Sequence, residues 1–366
     1  MCREPAEFPA GDGNNSSKPA ISAQMKGAWI TTVWNTDYPA KPTTDKVQLE
    51  KEINSIVSKA AELSLNALFF QVRPSADALY KSEIFPWSKF LTGKQGLAPN
   101  GNFDPLAYMI EKCHGANIRL HAWINPFRIT TSKSDVLSTI HPASLFPELT
   151  IKVGDTLFFN PGLPAARALI IDGVREIAQN YDVDGINFDD YFYPEALTTE
   201  DLPAFALYGN DLSIQDWRRN NVDKLIYQTH LAVKEIKPDI VFGVSPSGIW
   251  ANKPGNPLGS DTWGFESYNA IYADSRGWVK NQYVDYIAPQ IYWYIGQKGS
   301  DFATVLDWWN DVCKDTGVTL YAGLAGYKIG TGGPWNDISE FENQQSLSTE
   351  TAGGFIIFTF NSIAEI

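Results

Sequence analysis

The 366-residue sequence predicts an α/β protein folded as a (β/α)8 TIM barrel of eight parallel strands. Three observations carry that prediction. Apolar runs of strand length alternate strictly with amphipathic helical patterns, the signature of βα units around a parallel sheet. Eight such runs are legible, with seven helices between them. No GxGxxG follows the first run, which disfavours the doubly wound alternative.

Residues 1–24 are rich in Gly, Pro, Ser and Asn and read as a flexible tether, leaving 25–366 as one barrel with long βα loops. The first strand is read at 27–34. In the helix that follows, Leu49, Ile53, Ile56, Val57, Ala60 and Leu63 make one stripe at three- and four-residue spacing. The second strand covers 67–72. The next helix starts with Asp104 as N-cap and Pro105 at its first position and stops at Gly115. Strands three to eight fall at 118–124, 185–190, 240–245, 284–292, 319–324 and 354–360, separated by helices at 164–181, 214–236, 275–281, 302–315 and 337–347. After the last strand comes only SIAEI, too short for a full helix, so the closing helix is expected to be missing or truncated.

Segments after strands two to five are long and rich in Trp, Tyr, Phe and Pro, whereas helix-to-strand connections are short. In a barrel the long segments all lie at the C-terminal face, where active sites are built. Aromatic residues make up 13% of the chain, with 12 Trp and 16 Tyr, and these loops hold much of the excess.

Forty-two acidic against 29 basic residues give a net charge of −13, which argues against nucleic acid or an anionic bilayer as main partner. Three cysteines are too few for a disulfide framework. Cys113 and Cys313 sit at helical spacing from apolar neighbours and read as buried thiols. Cys2, after the initiator Met and before the polar tether, reads as the lipid-bearing first residue of a mature bacterial lipoprotein. Membrane contact would then be through that anchor alone, with the barrel held in the cell envelope. The four histidines show no HExxH and no ligand spacing, so no metal or other cofactor is expected.

Period-two alternation decides which side chains enter the barrel mouth. It puts Gln71 and Arg73 of the second strand inside, with His121, Trp123 and Asn125 of the third, Asn187, Asp189 and Tyr191 of the fourth, and Gln290 and Tyr292 of the sixth. Buried polar groups need partners and buried charges need pairing, so this collection is costly as packing alone. Asp189 is the leading catalytic candidate, because a carboxylate at a barrel strand end among sugar-sized aromatic groups suits an oxocarbenium-like transition state. Its structural alternative is an ion pair with Arg73 or a cap on the next helix. Asp190 points outward by the same count unless a bulge re-aims it. Candidates for a second carboxyl are Asp190, Asp77, Glu266 and Asp274, the last reading better as an N-cap. A substrate's own 2-acetamido group would relax the need for a second carboxylate. Trp34, Trp123, Tyr193, Trp250 and Trp293 lie at or just after strand ends, where together they would wall a groove for stacked pyranose rings. Ser245 in GVSPSG lacks the GxSxG elbow.

The motifs KGAWITTVWN, FQVRPSADALY, PWSKFLTGKQG, FDPLAYMIEKCH, HAWINPFRI, DGINFDDYFYP, GVSPSGIW, YADSRGWV and DYIAPQIYW together resemble the bacterial glycosyl-hydrolase-like family 10, whose members are often lipoproteins. The resemblance spans Met25 to Phe360. It implies a TIM-barrel hydrolase of glycosidic bonds, similar to cell-envelope enzymes that cut peptidoglycan glycan strands stripped of their peptides. Carried over by residue, the implied site includes Arg73, Asp77, His121, Asn125, Asp189, Asp190, Gln290 and Tyr292. Family members usually have His where Asn187 stands. The fourth strand is also similar to those of α-amylases and chitinases, but Tyr191 replaces the acid glutamate of the chitinase pattern.

The expected activity is therefore glycoside hydrolysis of a polysaccharide or oligosaccharide. Asp189 would be nucleophile or charge stabiliser, Asp190 or Asp77 the acid, and Arg73, His121, Asn125, Gln290 and Tyr292 the holders of hydroxyls or an N-acetyl group. The alternatives are a surface glycan-binding lipoprotein without turnover and a carbohydrate esterase or deacetylase using Ser245.

Overall fold

The computed structural model describes residues 24–364; Cys2 and the tether reading lie outside the described residues. The strands are β1 (Met25–Ile30), β2 (Ala67–Arg73), β3 (Arg119–Ile124), β4 (Thr150–Val153), β5 (Thr156–Phe159), β6 (Gly185–Phe188), β7 (Val241–Val244), β8 (Tyr286–Ile287), β9 (Thr319–Leu320), β10 (Ala322–Ala325) and β11 (Gly354–Phe358). Nine of them form one parallel sheet in the order β10-β11-β1-β2-β3-β6-β7-β8-β9. β9 and β10 are two pieces of one extended run broken at Tyr321: β9 pairs with β8 and β10 with β11. Counted as one they complete a ring of eight, the TIM barrel that the alternation of elements predicts.

Helices pack around the ring. Asp45 caps Lys46–Glu62 by accepting from the Val47 N–H, and Asp104 caps Pro105–Gly115 by accepting from the Ala107 N–H. Each cap satisfies a backbone donor that the first turn leaves unpaired. Leu49, Ile53, Ile56, Val57 and Ala60 of the first helix are buried against the barrel, as their stripe predicts. Asp274 is an N-cap as read, accepting from the Gly277 N–H. After β11 the described chain continues into a short helix, Asn361–Ala364.

The ring separates two apolar regions. Leu68, Phe70, Val72, Leu120, Ala122, Ile124, Ile186 and Phe188 face outward into the layer between strands and helices. Met25, Trp29, Ala67, Phe69, Trp123, Tyr286, Ala288 and Ile356 fill the barrel interior. Glycines make room for the large rings there: a Cβ at Gly185 would lie 2.3 Å from His121 Nδ1, and one at Gly243 2.3 Å from the Tyr286 ring.

The structure corrects several sequence expectations. β1 ends at Ile30 and β6 at Phe188, so Trp34, Asp189 and Asp190 lie beyond their strands. The loop after β3 contains an antiparallel hairpin, β4 with β5, and the loop after β6 a helix, Leu202–Tyr208; neither was expected. Part of the aromatic excess is core, because Trp217, Trp278 and Trp309 are fully buried.

Candidate active site

A cavity of about 400 Å³ opens at the C-terminal mouth. Its walls include Trp29, Trp34, Gln71, Trp123, Arg128, Asp189, Asp190, Tyr191, Ser245, Gln290, Tyr292 and Phe358. Six aromatic rings share the lining with polar and charged groups, and the size is that of a small-molecule site.

Asp189 is 3% exposed and held by three N–H donors. Its Oδ2 accepts from Trp123 Nε1 at 3.1 Å and Asn125 Nδ2 at 3.2 Å, and its Oδ1 from the Tyr191 backbone N–H at 3.4 Å. Asn125 is itself fixed, its Oδ1 accepting from the Arg128 N–H. Asp190 lines the same cavity, with Ser247 Oγ 3.5 Å from its carboxylate. Alternation pointed Asp190 outward, but it stops governing direction where the ladder ends, at Phe188. Burial raises the Asp189 carboxyl to about 7, the negative charge of Asp190 adding to the effect and Arg128 opposing it. Burial raises Asp190 to about 6, against hydrogen bonds from Gln290 and Ser247. Neighbouring carboxyls of this kind titrate as a pair.

The mouth is held by side chains that bond backbone. Gln71 Oε1 accepts from the N–H groups of Thr32 and Val33, both at 2.9 Å, fixing the turn after β1. Trp34 sits on that turn at φ 55, in the left-handed region that non-glycine residues rarely occupy, and projects 66% exposed at the rim. Gln290 Nε2 donates to the Ser245 carbonyl, and Tyr292 stacks on Phe358 with ring centroids 6.0 Å apart. Asn187 lies beneath the cavity, its Oδ1 accepting from Ser245 Oγ at 3.2 Å and Trp29 Nε1 at 3.4 Å. Ser245 also donates to the Phe188 carbonyl; neither partner is a base that could activate it.

Seven expected contacts lie outside the cavity wall: Asn125 and Asn187 are fully buried behind it, where they bond Asp189 and Ser245, and five more lie elsewhere. Arg73 does not enter the mouth. The β2–β3 register shifts between Gln71 and Arg73, and the guanidinium turns to the helix side, over Phe85 at 4.6 Å and against Gly173, whose Cβ would meet Arg73 Nη1 at 2.2 Å. A bulge of one residue reverses every alternation count beyond it. Asp77 is fully buried in the loop after β2, where it accepts from Gln95 Nε2, and burial raises it to about 6 without giving it a place in the cavity wall. His121 points inward but one layer too deep, with Nδ1 3.1 Å from Tyr286 Oη and its ring on Phe69 at 4.4 Å. Burial lowers its pKa to about 3. Trp250 is buried, stacked on Trp308 and donating to Asp274. Trp293 packs against the helix-side core beside Gly248.

Arg128 is the main residue that sequence reasoning missed. It lies in NPFRI after β3, where alternation no longer applies, and only the fold returns it to the cavity. Its Nε and Nη2 donate to the Pro74 carbonyl at 3.1 and 2.9 Å, and its guanidinium lies 4.8 Å over the Tyr191 ring. Trp29 was legible by counting inward from β1 but was not singled out.

A family model described as "Glycosyl hydrolase-like 10" matches residues 24–338. The chain is 39% identical over 337 residues to "Glycosyl hydrolase YngK" of Bacillus subtilis (strain 168), covering 89% of this chain and 66% of that protein, just under two thirds of its length. It is 38% identical over 343 residues to "Glycosyl hydrolase DigH" of Escherichia coli (strain K12), covering 88% of this chain and 77% of that protein. Among solved structures, the PgaB (BpsB) glycoside hydrolase domain from Bordetella bronchiseptica superposes with a TM-score of 0.59 at 12% identity, covering 93% of this chain and 95% of that one. The endo-beta-1,4-mannanase from Thermotoga petrophila gives 0.56 at 11% identity, covering 92% and 67%. At these identities the structural likenesses concern the fold.

Proposed function

The chain belongs to the glycosyl hydrolase-like 10 family, and from that premise we propose that it is a glycosidase that hydrolyses O-glycosidic bonds through Asp189 and Asp190. The observation that carries this reading is the adjacent carboxyl pair at the barrel mouth, both members raised toward neutrality, in an aromatic-walled cavity. A pair that holds one proton near neutral pH supplies an acid and an anion together. Burial raises Asp189 above Asp190, but the two titrate as one pair, and the reading puts the shared proton on Asp190 once substrate is bound, because positive charge growing beside Asp189 favours that carboxylate's charged form, as do its three N–H donors.

In the proposed reaction Asp190 gives its proton to the glycosidic oxygen as the C–O bond breaks. Asp189 stabilises the positive charge growing at the anomeric carbon, directly or by attack, or by steadying a substrate 2-acetamido group that attacks instead. Water then supplies the hydroxyl that ends on that carbon, and its remaining proton returns to Asp190. The aromatic walls stack sugar faces and Gln290 and Arg128 orient polar substituents.

The proposed substrate is a cell-envelope glycan containing N-acetylhexosamine, such as peptidoglycan strands stripped of peptides, with the protein held at the envelope by lipid on Cys2. Mass spectrometry of products from peptide-free peptidoglycan strands and chitin oligomers, wild type against Asp189→Asn, tests the reading. Shortened glycans from the wild type alone are expected. Binding without any cleavage would make the protein a glycan-binding module, and acetate release from intact chains would point to Ser245 instead.

A further inference from the structure

A second cavity, of about 420 Å³, adjoins the first and shares Asp190 and Tyr191 with it. Its walls come from three insertions outside the barrel ring: the β4–β5 hairpin through Val153, Thr156 and Phe158, the turn after β6, and Phe265 in the loop after β7. The two spaces differ in chemistry. Asp189 and Arg128 line only the first, whereas the lining of the second contains no Lys or Arg among the described residues and adds Glu195 to Asp190. Phe265 keeps 41% of its surface exposed although it stands in a cavity wall.

Resting on the glycosidase reading above, the geometry points to the second cavity as the subsite for the leaving part of the substrate, binding a neutral sugar residue across the scissile bond. The residue whose anomeric carbon reacts must sit beside the charge-stabilising carboxylate, which places it in the first cavity with Asp189. The glycosidic oxygen must face the acid, and Asp190 stands on the seam between the cavities. The departing residue therefore falls in the second, where exposed aromatic rings offer stacking faces. A wall that carries Glu195 and, among the described residues, no Lys or Arg side chain selects against an acidic sugar there. Binding energy gained in this subsite is used at the reacting bond, so it raises turnover as well as affinity.

The test compares substrates that fill the second cavity with substrates that leave it empty. N-acetylglucosaminyl fluorides of both anomers have a one-atom leaving group, whereas N-acetylglucosamine tetramers extend across the bond. For Phe265→Ala and the cavity-filling Thr156→Trp, kcat/KM on tetramers is expected to fall about tenfold or more while that on the reactive fluoride stays within about twofold. Equal losses on both substrates, or no loss on tetramers, would overturn the assignment. If the wild type cleaves neither substrate, the glycosidase reading rests on peptide-free peptidoglycan strands and fails by itself if these too stay intact. The subsite is then judged by titrating tetramers onto the protein, where Phe265→Ala must weaken binding about fivefold or more, and unchanged binding rejects it.

Discussion

Trp123 on β3 donates its indole N–H to Asp189 just past the end of β6, at 3.1 Å, joining two neighbouring strands at the floor of the cavity. The bond has two effects. With Asn125 and the Tyr191 N–H it orients the carboxylate, and it favours that carboxylate's charged form against the burial that opposes it.

Trp123→Phe keeps most of the packing and removes the donor. The expected result is a 10- to 100-fold loss in kcat/KM, on the scale of losing one charge-assisted hydrogen bond at a reacting centre. The change should lie mainly in kcat, with the acid limb of the pH profile moving upward. Steady-state kinetics across pH, with a folding control by circular dichroism, checks both.

The carboxyl pair sets a pH window. In the proposed mechanism activity requires one proton on the pair, so kcat/KM should rise as pH increases toward 6 and fall as it passes 7, giving a narrow bell. Stability has its own sign. Both carboxyls are raised above the unfolded value of 3.8, so the folded protein binds more protons than the unfolded chain between about 4 and 7, and stability declines as pH rises through that interval. Asp189→Asn should therefore be inactive yet melt no lower than wild type at pH 8, with any advantage shrinking below pH 4. Calorimetric melting at the two pH values tests the sign.

Arg128 lowers both carboxyls electrostatically. Arg128→Met should move the basic limb of the profile upward by about half a unit to one unit. It also leaves the Pro74 carbonyl without these two donors, at a cost of about 1–3 kcal/mol that denaturant unfolding would register.

Arg73 and His121 separate placement from chemistry. Because Arg73 lies on the helix side of the bulge, Arg73→Leu should change the melting temperature while leaving kcat/KM within about twofold. A raised KM at unchanged stability would return Arg73 to the substrate. His121 is neutral down to about pH 3, whereas an unfolded His takes up a proton near 6.5, so it weakens the fold as pH falls below 6.5 and contributes no limb to the activity profile above pH 4. His121→Phe should leave the bell where it is.

Gly185 tests the packing beneath the site. A methyl there would press on the His121 ring at 2.3 Å, so Gly185→Ala should destabilise by about 1–3 kcal/mol and reduce activity by displacing β6. Equilibrium unfolding in urea provides the measurement.

Alternation was reliable where strands keep their ladder: His121 and Trp123 point inward from β3 and Asn187 from β6, with the intervening apolar residues outside. It failed at Arg73 because one unpaired residue reverses direction, and at Asp190 because the strand had already ended. Depth was equally hidden. His121 and Trp123 share one face of one strand, yet only Trp123 reaches the cavity wall, since a barrel stacks its inward side chains in layers. Trp250 and Trp293 met the same limit in another form, as residues near strand ends whose rings turn into packing between loops and helices.

The sequence by itself determined the barrel, most helix positions and the place of DGINFDDYFYP at the end of a barrel strand, because these depend on local periodicity, capping and the order of elements along the chain. Tertiary structure alone decided that Asp189 and Asp190 share a cavity, that Arg128 joins them and Arg73 does not, and that a second cavity opens across Asp190. Those outcomes depend on bulges, strand ends and burial by segments distant in the chain. The carboxyl shifts follow the same rule: desolvation is a property of everything packed around a charge, and no short stretch of residues carries that information.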